Sequence, residues 1–208
     1  MSDIQLANQT TPAAPGSAQS VLYVESTGHE VMHADNAIFK VLRTVTNANT
    51  ADVTANAADT YLTGSALTPP TTLVKIGTTM CWLFAMSKTA AGVAQPVWSL
   101  RVGTAGTLAD AARLTFTGSA QTAVGDNGIA QVWLLIRSIG ATGVAAGVQT
   151  LTHVGNTAGL ASIPTDVQQV TSAGFDMTVA GTKYGVSCNP GAAGVWTFQL
   201  ISAMYLHG

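Results

Sequence analysis

Apolar and polar residues alternate with a period of two along most of this chain, and no window keeps a 3.6-residue apolar period with helix caps at both ends. From Ala37 onward, Phe39, Val41, Arg43 and Val45 fall on one parity and Lys40, Leu42, Thr44 and Thr46 on the other. The same reading predicts strands over Tyr61–Thr63, Met80–Lys88, Pro96–Gly103, Ala112–Thr117, Ile129–Ile139, Gly147–Val154, Gly174–Val179, Lys183–Cys188 and Val195–Leu206. Between Ala112 and Thr117 the alternation sets Leu114 and Phe116 against Arg113 and Thr115, as in a sheet with one wet face. One helical turn over Leu108–Arg113, following Thr107, is the only helical option. Many short strands without interleaved helices predict an all-β protein, an antiparallel β-sandwich or jelly roll.

Upstream the pattern changes. Residues Asn8 to Ser20 crowd Gln, Thr, Pro, Ala, Gly and Ser without any period, and Pro12 and Pro15 favour an extended backbone. Val21-Leu22-Tyr23-Val24, a turn at Ser26-Thr27-Gly28 and Glu30-Val31-Met32-His33 then read as a small hairpin. Such a hairpin is marginal alone and needs a surface to pack on. The expected organisation is an extended N-terminal arm over 1–20, a hairpin connector over 21–36 and a β-sandwich over 37–208. Tyr61 to Ile76, broken by Pro69-Pro70, reads as an irregular connection. Ala-Ala-Gly-Val recurs at Ala90, Ala145 and Ala192 with unequal spacing, which predicts reused turn chemistry with positive-φ glycines rather than a solenoid.

Composition sharpens this picture. Only 9% of the 208 residues are charged against 47% hydrophobic, and the net charge is -2. The scattered Lys and Arg leave no footprint for nucleic acid, and weak self-repulsion suits a subunit that lives inside an assembly. The N-terminus is polar, with Asp3 where a secretory signal carries positive charge, so export by that route is not expected. No apolar run approaches the ~20 residues of a membrane-spanning helix. Cys81 and Cys188 read as buried thiols, with a disulfide between them as the alternative.

The candidate chemistry is thin. His29-Glu30 and His33-Asp35 fall within the hairpin, and there is no His-Glu-x-x-His, Walker loop or Gly-x-Ser-x-Gly elbow. Gly103-Thr104-Ala105-Gly106 lacks the Lys-Ser/Thr of a phosphate cradle. His153 reads as a satisfied interior or interface histidine, and His207 as solvated. Asp126-Asn127-Gly128 and Asp166 offer oxygen ligands of the kind calcium takes, although Asp-Asn-Gly is equally a tight turn. Trp82, Trp98, Trp133 and Trp196 all fall in strands and read as core, a sugar-stacking platform being the alternative. No catalytic residue, metal ligand or cofactor is expected.

Several segments carry a resemblance. Gly103-Thr104-Ala105-Gly106-Thr107, Asp110-Ala111-Ala112-Arg113-Leu114-Thr115-Phe116-Thr117-Gly118 and Gln121-Thr122-Ala123 resemble a segment of tailed-bacteriophage virion proteins encoded among fibre and tail genes. Trp82 to Gly92, Thr171 to Asp176 and Gly185 to Gly191 resemble the same group, and Pro15 to Val24 is similar to the linker and hairpin that introduce many phage fibre modules. The resemblance implies a non-enzymatic virion structural protein, made in the host cytoplasm and carried on the particle exterior. It implies a homotrimer whose N-terminal arm, with Pro12, Pro15, Val21, Leu22 and Tyr23, docks on other virion proteins of the capsid, portal or tail. A fibre or spike that contacts a host surface glycan or protein is the first expectation, and a capsid decoration protein the second. A glycan-binding or depolymerase module comes last, because no carboxylate pair can be nominated.

Overall fold

The computed structural model describes residues 52–206 and, N-terminal to them, the strands at 20–24, 30–34 and 37–40. Those three strands, β1 (Ser20–Val24), β2 (Glu30–Ala34) and β3 (Ala37–Lys40), form an antiparallel sheet in the order β1-β2-β3. Val21, Leu22 and Tyr23 pair with His33, Met32 and Val31, the hairpin expected from the alternation. Ala37–Lys40 pairs with β2 rather than with a strand of the sandwich. The arm with Pro12 and Pro15, and the alternation past Lys40, lie outside the described residues.

Ten further strands build two antiparallel sheets. They are β4 (Val53–Asn56), β5 (Thr60–Tyr61), β6 (Thr79–Lys88), β7 (Val97–Gly103), β8 (Ala111–Thr117), β9 (Asp126–Ser138), β10 (Val144–His153), β11 (Thr165–Thr171), β12 (Lys183–Asn189) and β13 (Val195–Leu206). One sheet runs β11-β10-β9-β6-β13-β4 and the other β5-β12-β7-β8. With the β10–β11 hairpin set aside, eight strands remain. The first pairs with the eighth, the second with the seventh, the third with the sixth and the fourth with the fifth, alternately in the two sheets. This rolled Greek-key order is a jelly roll, and β10–β11 extends its larger sheet past β9.

Period-two burial explains why these residues form these layers. Along β6 the even positions Met80, Trp82, Phe84 and Met86 are buried, as are Trp98, Leu100 and Val102 on β7 and Leu114 and Phe116 on β8. Trp98 of the smaller sheet bridges to the larger one, with ring centroids 6.2 Å from Phe84, 6.0 Å from Trp196 and 5.5 Å from Phe198, the last edge-on. Such tilted and edge-to-face pairs favour one packing over its alternatives. The buried indoles also find partners: Trp82 Nε1 donates to the Ser65 carbonyl at 2.6 Å and Trp196 Nε1 to Gln121 Oε1 at 2.9 Å.

Four expectations need correction. Gly174–Val179 forms no strand. Phe175 and Met177 are buried in alternation, but the segment crosses between sheets, with one bridge from Phe175 to Gly143 and a turn in which Asp176 Oδ1 accepts from the Thr178 N–H at 2.8 Å. Leu108–Arg113 forms no helix; the Asp110 N–H closes a single turn on the Thr107 carbonyl at 3.1 Å and β8 begins at Ala111. The glycines of the repeated Ala-Ala-Gly-Val do not take positive φ; in the third copy Ala193 does, at +57°. The glycines serve close approach: a Cβ on Gly147 would lie 2.8 Å from Phe116, and one on Gly92 2.5 Å from the Gly194 nitrogen. Trp133 is not core, for a reason given below.

Cys81 and Cys188 are free thiols on different sheets. Burial pushes the Cys81 thiol up to about 11 and raises Cys188 as well, with the Asp59 carboxylate adding to the latter. Several buried polar atoms, the Tyr184 hydroxyl among them, break the rule that interior polar atoms are paired, and Gln149 breaks it twice. Gln149 points inward from β10, is fully buried, and neither its amide nitrogen nor its oxygen has a hydrogen-bond partner. An unpaired buried polar group costs about 1–3 kcal/mol. Gln149→Leu, similar in volume, is therefore expected to raise folding stability by about 1–3 kcal/mol, measured by urea unfolding. A loss of similar size would show that the amide is hydrogen-bonded in solution.

Candidate functional site

Two features could carry function, a buried polar cluster at one end of the sandwich and the outer face of the larger sheet. The cluster brings together residues far apart in sequence. Lys88 of β6 and Asp126 of β9 are register partners, and His153 of β10 pairs with Gly128. All three side chains point inward where the core ends. Asp126 Oδ1 accepts from the Asn127 and Gly155 N–H groups at 2.8 Å each, and Oδ2 from Leu160 N–H at 3.1 Å and His153 Nδ1 at 2.5 Å. His153 Nε2 lies 2.7 Å from the Ile163 carbonyl. Both ring nitrogens thus face acceptors, and the imidazole is a strut between β9 and the loop after β10.

Lys88, 2% exposed, donates to the carbonyls of Gly92 at 2.7 Å, Gly159 at 3.3 Å and Thr122. Burial lowers its pKa, and the Asp126 carboxylate opposes that shift. Burial alone would raise Asp126, but the N–H groups of Leu160, Asn127 and Gly155 together with His153 outweigh it and hold the carboxyl below its usual 3.8. Gly159, at φ +95°, lets the loop pass so close that a Cβ there would lie 2.2 Å from that of Asp126. Beside them Gln121 Nε2 donates to the carbonyls of Ala94, at 2.8 Å, and Pro190. The chemistry of this cluster is therefore inward: its donors and acceptors are spent pinning four loops.

The other singled-out residues are engaged in the same way. Asp166 accepts from Ser119 N–H at 2.6 Å and Gln168 Nε2 at 2.7 Å. The backbone N–H groups of Ala105 and Gly106, which would have to cradle a phosphate, are filled by the Asp110 carboxylate at 2.9 and 2.6 Å. Among the described residues no group of three His, Cys, Asp or Glu side chains is placed to hold a metal. His29, Asp35 and His207 lie outside the described residues.

The outer face of the larger sheet is different. Strand register aligns four cross-strand rows of five residues over β11, β10, β9, β6 and β13. One row runs Gln169, Val148, Trp133, Cys81, Met204; on one side of it a row runs from Thr171 to Leu206, and on the other two rows run from Val167 to Ser202 and from Thr165 to Gln199. No position in these rows is Asp, Glu, Lys, Arg or His. Trp133, 37% exposed, occupies the middle strand, and around it Ile129, Leu135, Val167 and Leu206 are each more than two-fifths exposed. The other exposed large apolar residues, Val154 and Ile76 among them, are in loops.

Trp133 falls outside the core because its parity on β9 is opposite to that of Val132 and Leu134, which are fully buried. Both parities of β9 are apolar, so its sequence does not say which face is covered. The smaller sheet shows the ordinary alternative. Its outer face carries Arg101, bonded to Asp59 at 2.5 Å and to Ser187 at 2.8 Å, and Arg113 on β8. At the margin of the larger face a groove of about 330 Å³ opens over Ala85, lined by Ser87, Asn127, Thr197 and Gln199 with Asp52 beside them. Comparison with protein-family models, curated proteins and solved structures finds no match to this chain.

Proposed function

We propose that this chain is a non-enzymatic structural subunit of a bacteriophage particle, a fibre or spike component that assembles as a homotrimer and docks through its N-terminal arm on the virion exterior. The observation that carries the reading is the uncharged outer face of the six-stranded sheet. The face mixes Thr, Ser and Gln with the exposed apolar side chains of Trp133, Ile129, Leu135, Val167 and Leu206, and clustered exposed apolar side chains mark interaction sites. Three further points support it. The sequence segments quoted above resemble fibre and tail proteins. The jelly roll is an architecture shared by capsid proteins and lectins. The buried titratable groups Lys88, Asp126 and His153 hold loops instead of opening on a cleft.

The arm is the element to test. Deleting Met1 to Ser20 is expected to leave a folded jelly roll, with the far-ultraviolet spectrum of a sheet protein, that is missing from purified particles. A deleted chain incorporated as well as the full chain would overturn the anchoring role.

A further inference from the structure

We infer that copies of this chain meet through the outer face of the six-stranded sheet, with Trp133 at the centre of the contact. The inference rests on the structural-subunit reading and adds to it the surface and the partner.

The size fits. Five strands about 4.8 Å apart and four rows about 6.8 Å apart outline roughly 24 by 27 Å, or about 650 Å² in projection. A stable complex of standard size buries about 800 Å² on each partner, and the accessible area of a corrugated face exceeds its projection.

The layout also fits. Binding energy concentrates in a few residues near the middle of an interface, with Trp foremost, ringed by contacts that exclude water. Trp133 sits on the third of five strands, between Val148 and Cys81 in its row and between Gln131 and Leu135 on its strand. The nearest charges are marginal: Arg137 follows Leu135 by one outward step on β9, and Asp52 lies at the groove.

The lack of charge selects the partner. Surfaces that recognise a different protein use complementary charge for steering and for rejecting wrong partners, and this one has none to offer. Between two copies the same lack is an advantage, because an identical face brings no like charges together and none must be desolvated. A net charge of -2 adds little long-range repulsion between copies.

The test uses the full chain. Sedimentation of the wild-type protein is expected to give a multimer, with a dimer's or a trimer's mass counting equally for the inference. Trp133→Glu is expected to weaken assembly at least a hundredfold, to monomer at micromolar concentration, with an unchanged far-ultraviolet spectrum. Hydroxyl-radical footprinting of the wild-type multimer provides a readout independent of any variant. Trp133, Leu135 and Val167 should be oxidised as slowly as buried Trp98, while Val154 and Ile76 react freely. Should Trp133→Glu fail to fold, Val167→Lys at the margin of the same face replaces it.

A monomeric wild-type chain overturns the inference. So does a multimer in which Trp133 is readily oxidised, because the copies would then meet elsewhere, and so does protection of Trp133 in a monomer, where the chain's own remainder would be the cover. A monomer found in particles defeats this inference and leaves the structural-subunit reading standing; a multimer absent from particles does the reverse.

Discussion

Replacing Lys88 by methionine is expected to lower folding stability by about 3–5 kcal/mol, although the apolar stem is nearly conserved. The loss comes from the ammonium. Its three acceptors belong to three different loops: without it the Gly92 carbonyl is left unpaired, while the carbonyls of Thr122 and Gly159 lose a charged donor and keep only the N–H groups of Val124 and Thr122. Each buried carbonyl without a partner costs about 1–3 kcal/mol, and hydrogen bonds to a charged donor are the stronger kind. Asp126, on the register-paired position of β9, also loses the neighbouring cation whose pKa its carboxylate raises against the effect of burial. Urea unfolding reads the effect as a shift in midpoint at constant slope. A loss below about 1 kcal/mol would mean that water reaches these carbonyls and that the loops are not pinned.

Asp126→Asn is the second large effect, about 2–4 kcal/mol near neutral pH. The carboxylate takes four donors, and an amide keeps one acceptor oxygen while turning an NH₂ group toward N–H groups that it repels. The loss depends on pH. Asp126 titrates below 3.8 when folded, held there by hydrogen bonds that outweigh its desolvation. A group whose folded pKa is depressed stabilises fully above its unfolded value and loses that contribution as pH falls through the folded value. The wild-type chain should therefore lose stability below about pH 4, whereas the Asn variant lacks that part of the slope, and the gap between them should narrow with acid. A gap of constant size from pH 7 to pH 3 would contradict the assignment of Asp126 as the titrating group.

Strand positions were legible where alternation was carried by large residues. Val195–Leu206 matches β13 at both ends, and Met80–Lys88 misses one residue of β6. Two strands left no such signal. In β11 (Thr165–Thr171) Asp166 and Val170 share the inward parity while Val167 points out, so neither face is apolar, and β4 (Val53–Asn56) is four residues with one buried alanine. Both are edge strands, where partners on one side suffice. The reverse error, at Gly174–Val179, arose because a crossover can bury Phe175 and Met177 without joining a ladder.

The candidate site was less legible for a topological reason. Lys88, Asp126 and His153 meet only because β9 lies between β6 and β10, and no spacing along the chain encodes that neighbourhood. The charge-free face could have been suspected from β9, whose Ile129 to Ile136 is apolar on nearly every position. Such a run reads equally as a strand covered on both faces within one chain. Only the register, which sets Trp133 across from Val148 and Cys81, shows that no described residue covers the second face.

On the proposed reading, this jelly roll builds a particle by association. Imaging of purified phage particles carrying the full chain with an electron-dense label at its C-terminus tests it most directly. Label at the tail tip or on fibres, at fixed positions and in a fixed number of copies, is the predicted result. Label across the head shell would move the chain to the capsid-decoration role, and particles devoid of label despite abundant chain in the host would contradict the account.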